Sequence, residues 1–306
     1  MGVTIDTNQA VERIQALTAN FKGTVGVAAH DFDTGAEVLF NPDVVVPTAS
    51  TMKTVLLYEL YRQVDAGKID PAMRITLEER HRVPGSGVLQ DLDAGVAPTV
   101  KDIATLMITV SDNTATDMIY DLIGREAVAA TIERLGMTNT HLPLDTWEIL
   151  AGLHDLDPND PTLTYDGLKQ ALASKPAPWD CAALRETPDN DVSTPRDMLR
   201  LLEAIHRGEG LSPASREAVI DILKRQKYTT IIPEQLPFGV QAAHKTGTVR
   251  GVRNDVGLVF AGERTYAVAL MSKGSPNMVA SQRLLSDVSR LIFECFIGPI
   301  SEEAIQ

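Results

Sequence analysis

The chain has 306 residues, 44% hydrophobic and 23% charged, with a net charge of −13. That length builds one large domain or two intergrown ones around an ample core, and the composition excludes a disordered chain. The acidity argues against nucleic acid or an anionic membrane surface as partner, and no apolar run approaches the length of a bilayer span.

Met1-Gly2-Val3-Thr4 leads into a polar amphipathic stretch with neither a basic nor an apolar signal region. As written the protein is expected in the cytoplasm; it would be secreted or periplasmic had a signal been removed. Val11, Ile14, Leu17 and Phe21 then recur at helical spacing behind the possible caps Asp6 and Thr7. Gly23 to Phe32 and Ala36 to Phe40 read as strands joined across Asp33-Thr34-Gly35. After Ser50 a helix carries Val55, Leu56, Leu57, Leu60 and Val64 and stops near Gly67. Pro84-Gly85-Ser86-Gly87 opens a loop, and Thr99-x-x-Asp102 forms a capping box for the helix that ends at Ser111. Further helices are expected from Asn113 to Leu122, Arg125 to Leu135, Thr194-Pro195 to His206 and Ser212-Pro213 to Lys227. Strand texture returns at Gln241 to Lys245, Asp255 to Ala261 and Tyr266 to Lys273, before a last amphipathic helix through Leu284, Leu285, Val288, Leu291 and Ile292.

This order predicts an α/β protein with an antiparallel five-stranded sheet built from both chain ends, flanking helices, and an all-helical lobe inserted between them. The expected division is 1–45 with 228–306 as the sheet lobe and 46–227 as the helical lobe, with a site in the cleft. Cys181 and Cys295 stand far apart without metal-ligand spacing and are read as structural thiols. No metal or cofactor is expected, and a monomer is.

Three short stretches carry chemistry. In Ser50-Thr51-Met52-Lys53 a hydroxyl and an amine sit one helical turn apart, and a serine needs such a base to become nucleophilic. Ser111-Asp112-Asn113 and Lys245-Thr246-Gly247-Thr248 follow at long separations. Together they match the Ser-x-x-Lys, Ser-Asp-Asn and Lys-Thr-Gly set, and the chain is similar over most of its length to class A serine β-lactamases and penicillin-binding proteins. Asp112 is expected to brace its turn through backbone hydrogen bonds.

The resemblance implies a two-lobed α/β fold and residue roles. Ser50 would be the acylated nucleophile, with its backbone N–H and that of Thr248 as oxyanion hole. Lys53 would take the hydroxyl proton, its pKa lowered by burial or by the second positive charge of Lys245. Ser111 would pass a proton to the departing nitrogen and Asn113 would hold the substrate's side-chain amide. Thr246, Gly247 and Thr248 would line a carboxylate site with Arg253, for which Arg250 competes. Leu144-Asp145-Thr146-Trp147-Glu148 resembles the loop that carries the deacylating glutamate, so Glu148 is expected to be that base. Thr146 stands where the family has an arginine tied to a later aspartate, here Asp191, and Gly152 where it has an asparagine. About thirty extra residues lie between Glu148 and Ser193, as a lid or specificity wall. The resemblance implies hydrolysis of β-lactam amides, small molecules, through acyl-Ser50. A D-alanyl-D-alanine peptidase, an intracellular amidase or esterase, and a sensor that acylates and stops are the alternatives.

Overall fold

The computed structural model describes residues 6–300; the Met1–Thr4 stretch lies outside them. Helix α1 (Thr7–Thr18) opens with a capping box in which Asp6 accepts from Gln9 N, and it buries Ala10 and Ile14. Strands β1 (Thr24–Asp31) and β2 (Glu37–Phe40) form an antiparallel hairpin in the register His30↔Glu37. The chain continues through β3 (Val46–Pro47), a 3₁₀ turn (Ala49–Met52) and α2 (Lys53–Asp65). It then forms α3 (Val100–Thr109), α4 (Asn113–Ile123), α5 (Arg125–Arg134), α6 (Thr146–Gly152) and α7 (Tyr165–Ser174). Short β4 (Val192–Ser193) pairs back onto β3, followed by α8 (Pro195–Arg207) and α9 (Pro213–Lys224). The meander β5 (Gln241–Val249), β6 (Val252–Ala261) and β7 (Arg264–Lys273) precedes α10 (Met278–Phe296).

The five long strands form one antiparallel sheet in the order β2-β1-β7-β6-β5, joining the two ends of the chain as expected. Because side chains alternate across a strand, Val25, Val27 and Ala29 face the layer of α1 and α10, whereas Ala28 joins a second core with Met52, Leu56, Ile103 and Met198. Both faces are covered, which is why these strands read as nearly continuous apolar runs. Among the described residues no helix is long and apolar enough to cross a membrane.

The structure differs from the sequence expectation in two places that matter for the site. Ser50 lies in the 3₁₀ turn, and the α-helix proper begins at Lys53. The stretch after Leu144, expected to be loop, contains α6 and α7, each opened by a side-chain cap, from Asp145 and Thr164 respectively.

Candidate active site

The three motifs meet beside the edge strand β5. Gly247 lets β5 approach the 3₁₀ turn closely: a Cβ there would come within 2.7 Å of Thr48 O and 3.1 Å of Thr51 N. Asn254 on neighbouring β6 donates its side-chain N–H to Pro47 O at 2.9 Å and Thr48 O at 3.1 Å, clamping the segment that presents Ser50. Ala49 takes a left-handed backbone, φ 46°, which costs a residue with a Cβ on the order of 1 kcal/mol and is held by these surroundings.

Ser111 is also left-handed, φ 56°, at the junction of α3 and α4. Its carbonyl accepts from Lys53 Nζ at 2.8 Å and from Ser86 Oγ at 2.8 Å. Asp112 caps α4 through Ala115 N and takes Val88 N and Leu89 N on its other oxygen, so it braces the Gly85–Leu89 loop as expected.

Lys53 and Lys245 are 1% and 0% exposed, and each Nζ lies 3.1 Å from Ser111 Oγ. Lys53 also donates to Asn113 Oδ1 at 3.0 Å, and none of its described bonds is to Ser50. Burial pushes the Lys53 ammonium down to about 7, against an upward pull from Asp117 and Asp112. Burial and the charge of Lys53 hold Lys245 well below the usual lysine range. His244, the neighbour of Lys245, is buried against Asp255 at 2.8 Å.

A cavity of about 280 Å³ opens over these groups, lined by Ser50, Ser86, Ser111, Thr246, Thr248 and Arg253, with Tyr228, Thr230 and Ile231 closing one side. Arg253 donates to Thr248 Oγ1 at 2.9 Å, and its buried Nε has no partner among the described residues. Burial alone lowers its pKa. Arg250 instead lies over Trp179 and donates to Ala177 O, away from this cavity.

Two expected residues are placed differently. Asn113 engages both ends of its amide locally, Nδ2 on Pro84 O at 2.9 Å and Oδ1 on Lys53 and Ser86. Glu148 does not line the Ser50 cavity. As the N3 residue of the α6 capping box it accepts from Asp145 N at 2.8 Å and from Arg125 Nη2 at 2.7 Å. The carboxylate expected to serve as deacylating base thus closes a cap, whose Asp-x-x-Glu signature was present in the sequence. The residue of α6 that comes near the Gly85 loop is Leu150. The space over Gly85 is bounded by Asn113 Nδ2 at 2.8 Å and Leu150 Cδ1 at 3.9 Å from where a Cβ would stand. Asp191, lacking an arginine partner at Thr146, accepts from Leu144 N at 3.0 Å; its buried second oxygen has no partner among the described residues, and burial raises its pKa well above the ordinary value.

Ser86 belongs to the Pro84–Gly87 stretch that the sequence offered as a rim of the site, whereas Tyr228, Thr230 and Ile231 were missed because no motif marks them. His30, Glu37 and Glu203 bring possible metal-ligand atoms within 4.8 Å of one another. His30 Nδ1 is already paired with Glu203 at 2.6 Å, and the site above uses none of the three.

The sequence profile of the β-lactamase enzyme family matches residues 9–296. This chain belongs to that family. It is 25% identical over 301 residues to the carbapenem-hydrolysing β-lactamase KPC of Klebsiella oxytoca, covering 94% of this chain and 89% of that one. It is also 25% identical over 292 residues to a β-lactamase of Streptomyces lavendulae, covering 92% and 85%. Among solved structures it resembles a β-lactamase from Sphaerobacter thermophilus, with TM-score 0.78, 28% identity and coverage of 95% and 98%. PBP-A is similar as well, at TM-score 0.77, 28% identity and coverage of 97% and 99%. A PBP-A mutant has been solved as its acyl-enzyme complex with penicillin G. The five-stranded antiparallel sheet with its helices is thus the fold of class A β-lactamases.

Proposed function

We propose that the protein is a serine hydrolase that opens β-lactam amides through an acyl-Ser50 intermediate. The observation that carries the reading is the pair of buried lysines on Ser111 Oγ in the cavity that Ser50 lines. Two ammonium ions so close in an interior cannot both stay charged, so a neutral amine is available as base near pH 7. That amine takes the Ser50 proton as Oγ attacks the lactam carbonyl. The developing oxyanion is met by the N–H groups of Ser50 and Thr248. Collapse breaks the C–N bond, and Ser111 passes a proton from the lysine pair to the leaving nitrogen. The guanidinium of Arg253, which has no carboxylate partner among the described residues, suits with the hydroxyls of Thr246 and Thr248 the carboxylate of such a substrate. Water then adds to the ester and releases the acid and Ser50.

The test is the intact mass of the protein during incubation with benzylpenicillin, run beside the absorbance of a chromogenic cephalosporin. Product without a lasting adduct is the expected result, and the absence of both would refute the reading. Ser50→Ala must lose labelling and turnover together. One observation favours a second reading, a penicillin-binding protein whose adduct persists: Glu148 is held by Arg125 and by the Asp145 backbone N–H. A stable adduct with no product would select it.

A further inference from the structure

His30, Glu37 and Glu203 stand at the edge of the sheet opposite the one that borders Ser50. Strand order puts β2 at that edge and β5 at the other. His30 on β1 and Glu37 on β2 are direct cross-strand partners, so their side chains leave the sheet on the same face. That face is the one α8 covers: Ala28, two residues before His30, shares a core with Met198 and Leu202. Glu203, next along α8, meets His30 Nδ1 at 2.6 Å across 173 positions of sequence. Ligand atoms from an inner strand, an edge strand and a helix thus converge within 4.8 Å of one another.

Charge and packing both leave a place for a cation there. Glu37 has no ion-pair partner among the described residues. Arg196, a guanidinium that feels its charge, gives two bonds to Asp43 instead, at 2.7 and 3.0 Å. Glu203 meets a guanidinium only at 3.9 Å, from Arg207, which lies closer to Glu209 at 3.5 Å. Two carboxylates therefore crowd one imidazole with no close cation between them, an arrangement that favours uptake of a proton or a metal ion. The imidazole is held by packing, since Phe32 meets its ring edge-on at 5.2 Å and stacks on His206 at 3.8 Å. The His30 and Glu203 side chains are 16% and 19% exposed, so the cluster is sheltered yet open to an ion from solvent.

The geometry points to a divalent transition-metal site, with zinc as the metal, held by His30 Nδ1 and one carboxylate oxygen each from Glu37 and Glu203. Zinc bonds to nitrogen and oxygen at about 2.0–2.2 Å, which sets tetrahedral donors about 3.3 Å apart. From the present separations the two carboxylates move by at most about 0.7 and 1.5 Å to reach it, within the torsional range of a glutamate on a fixed backbone. Water completes the fourth position. A nitrogen among only three protein donors does not suit calcium or magnesium, which take roughly six or more oxygens. The bound ion fastens the edge hairpin to α8, replacing one hydrogen bond with three metal bonds. This inference is independent of the acyl-Ser50 reading.

The experiment titrates zinc chloride into tag-free protein that has been stripped with a chelator, followed by calorimetry and thermal melting. One zinc per chain is expected, with melting raised by about 3 °C or more when zinc is about 100-fold above its Kd. Cobalt in its place should give the intense visible bands of a four-coordinate ion. Loss of a mere supporting group costs a metal site about 10- to 100-fold in affinity, so His30→Ala and Glu37→Gln should each weaken zinc binding by at least about 100-fold. Glu37 is exposed and leaves the His30–Glu203 bond intact, so Glu37→Gln separates a metal site from a simple ion pair even if His30→Ala fails to fold. His81→Ala, at an imidazole engaged by the Glu78 N–H, is the control and should bind zinc as the wild type does. Binding undiminished in a folded site variant, or lost in His81→Ala, places the ion elsewhere and overturns the proposal. So does a wild-type protein that takes up no zinc or melts at the same temperature with it.

Discussion

Lys53 Nζ and Lys245 Nζ stand at the same distance, 3.1 Å, from one oxygen, Ser111 Oγ. The geometry ties nucleophile activation to a proton equilibrium, because burial brings the Lys53 ammonium down to about 7. The reactive form is the neutral amine, so activity belongs to the alkaline side. The acylation rate should rise about tenfold per pH unit below this value and level off above it, with a midpoint near 7 in stopped-flow or quenched mass measurements. Lys53→Ala should lower the plateau by about 10²- to 10⁴-fold. A pH-independent rate between 5 and 8 would remove the lysine from the step.

The ion pair between Arg125 and Glu148 makes a prediction about the second half of the reaction. Glutamine also serves at N3 of a capping box, so Glu148→Gln should fold normally. With its carboxylate on Arg125, the substitution should change turnover by less than about 3-fold, whereas a deacylating base would be worth about 10²-fold. Leu150→Glu places a carboxylate beside the Asn113 amide instead and should shorten the life of a penicillin adduct by about tenfold or more. Decay of the adduct mass in the two variants decides between the positions.

Arg253 is a cation without a carboxylate partner among the described residues, beside the Thr248 hydroxyl. A charge-assisted bond to a substrate carboxylate contributes about 1.5–3 kcal/mol, so Arg253→Ala should lower kcat/KM by roughly 10- to 150-fold. The loss should vanish for the methyl ester of the same substrate. Equal losses for acid and ester would assign Arg253 a structural role.

Asp117 gives the protein a pH-sensitive joint under α6. Its carboxylate accepts Thr146 N at 2.8 Å and Trp147 N at 3.0 Å, yet burial and the nearby Asp145 raise its pKa to about 7. The folded state therefore binds this proton more tightly than the unfolded chain does. Stability should fall as pH rises from about 4 to 7, and level off above. Asp117→Asn should leave melting nearly unchanged at pH 5 and raise stability at pH 8 by on the order of 1–2 kcal/mol. A larger gain at pH 5 than at pH 8 would contradict this account.

The sequence by itself determined the elements with local causes. The capping boxes at Asp6 and Thr99, the proline-opened helices α8 and α9, and the glycine stops at Gly67 and Gly208 all follow from groups a few residues apart. The three motifs likewise announced the site chemistry, because Ser50 and Lys53 share one turn and Ser111, Asp112 and Asn113 are consecutive. Only the tertiary structure decided what faces the cavity. Glu148 and Leu150 are two residues apart on one short helix, and the entry angle of that helix, set by Asp117 and Asp145, turns the carboxylate to Arg125 and the leucine towards Asn113. The shared lysine oxygen and the Asn254 clamp on Pro47 and Thr48 join residues tens to more than a hundred positions apart. No local propensity encodes such contacts; they exist because two chain ends closed one sheet and laid its edge strand β5 against the 3₁₀ turn that carries Ser50.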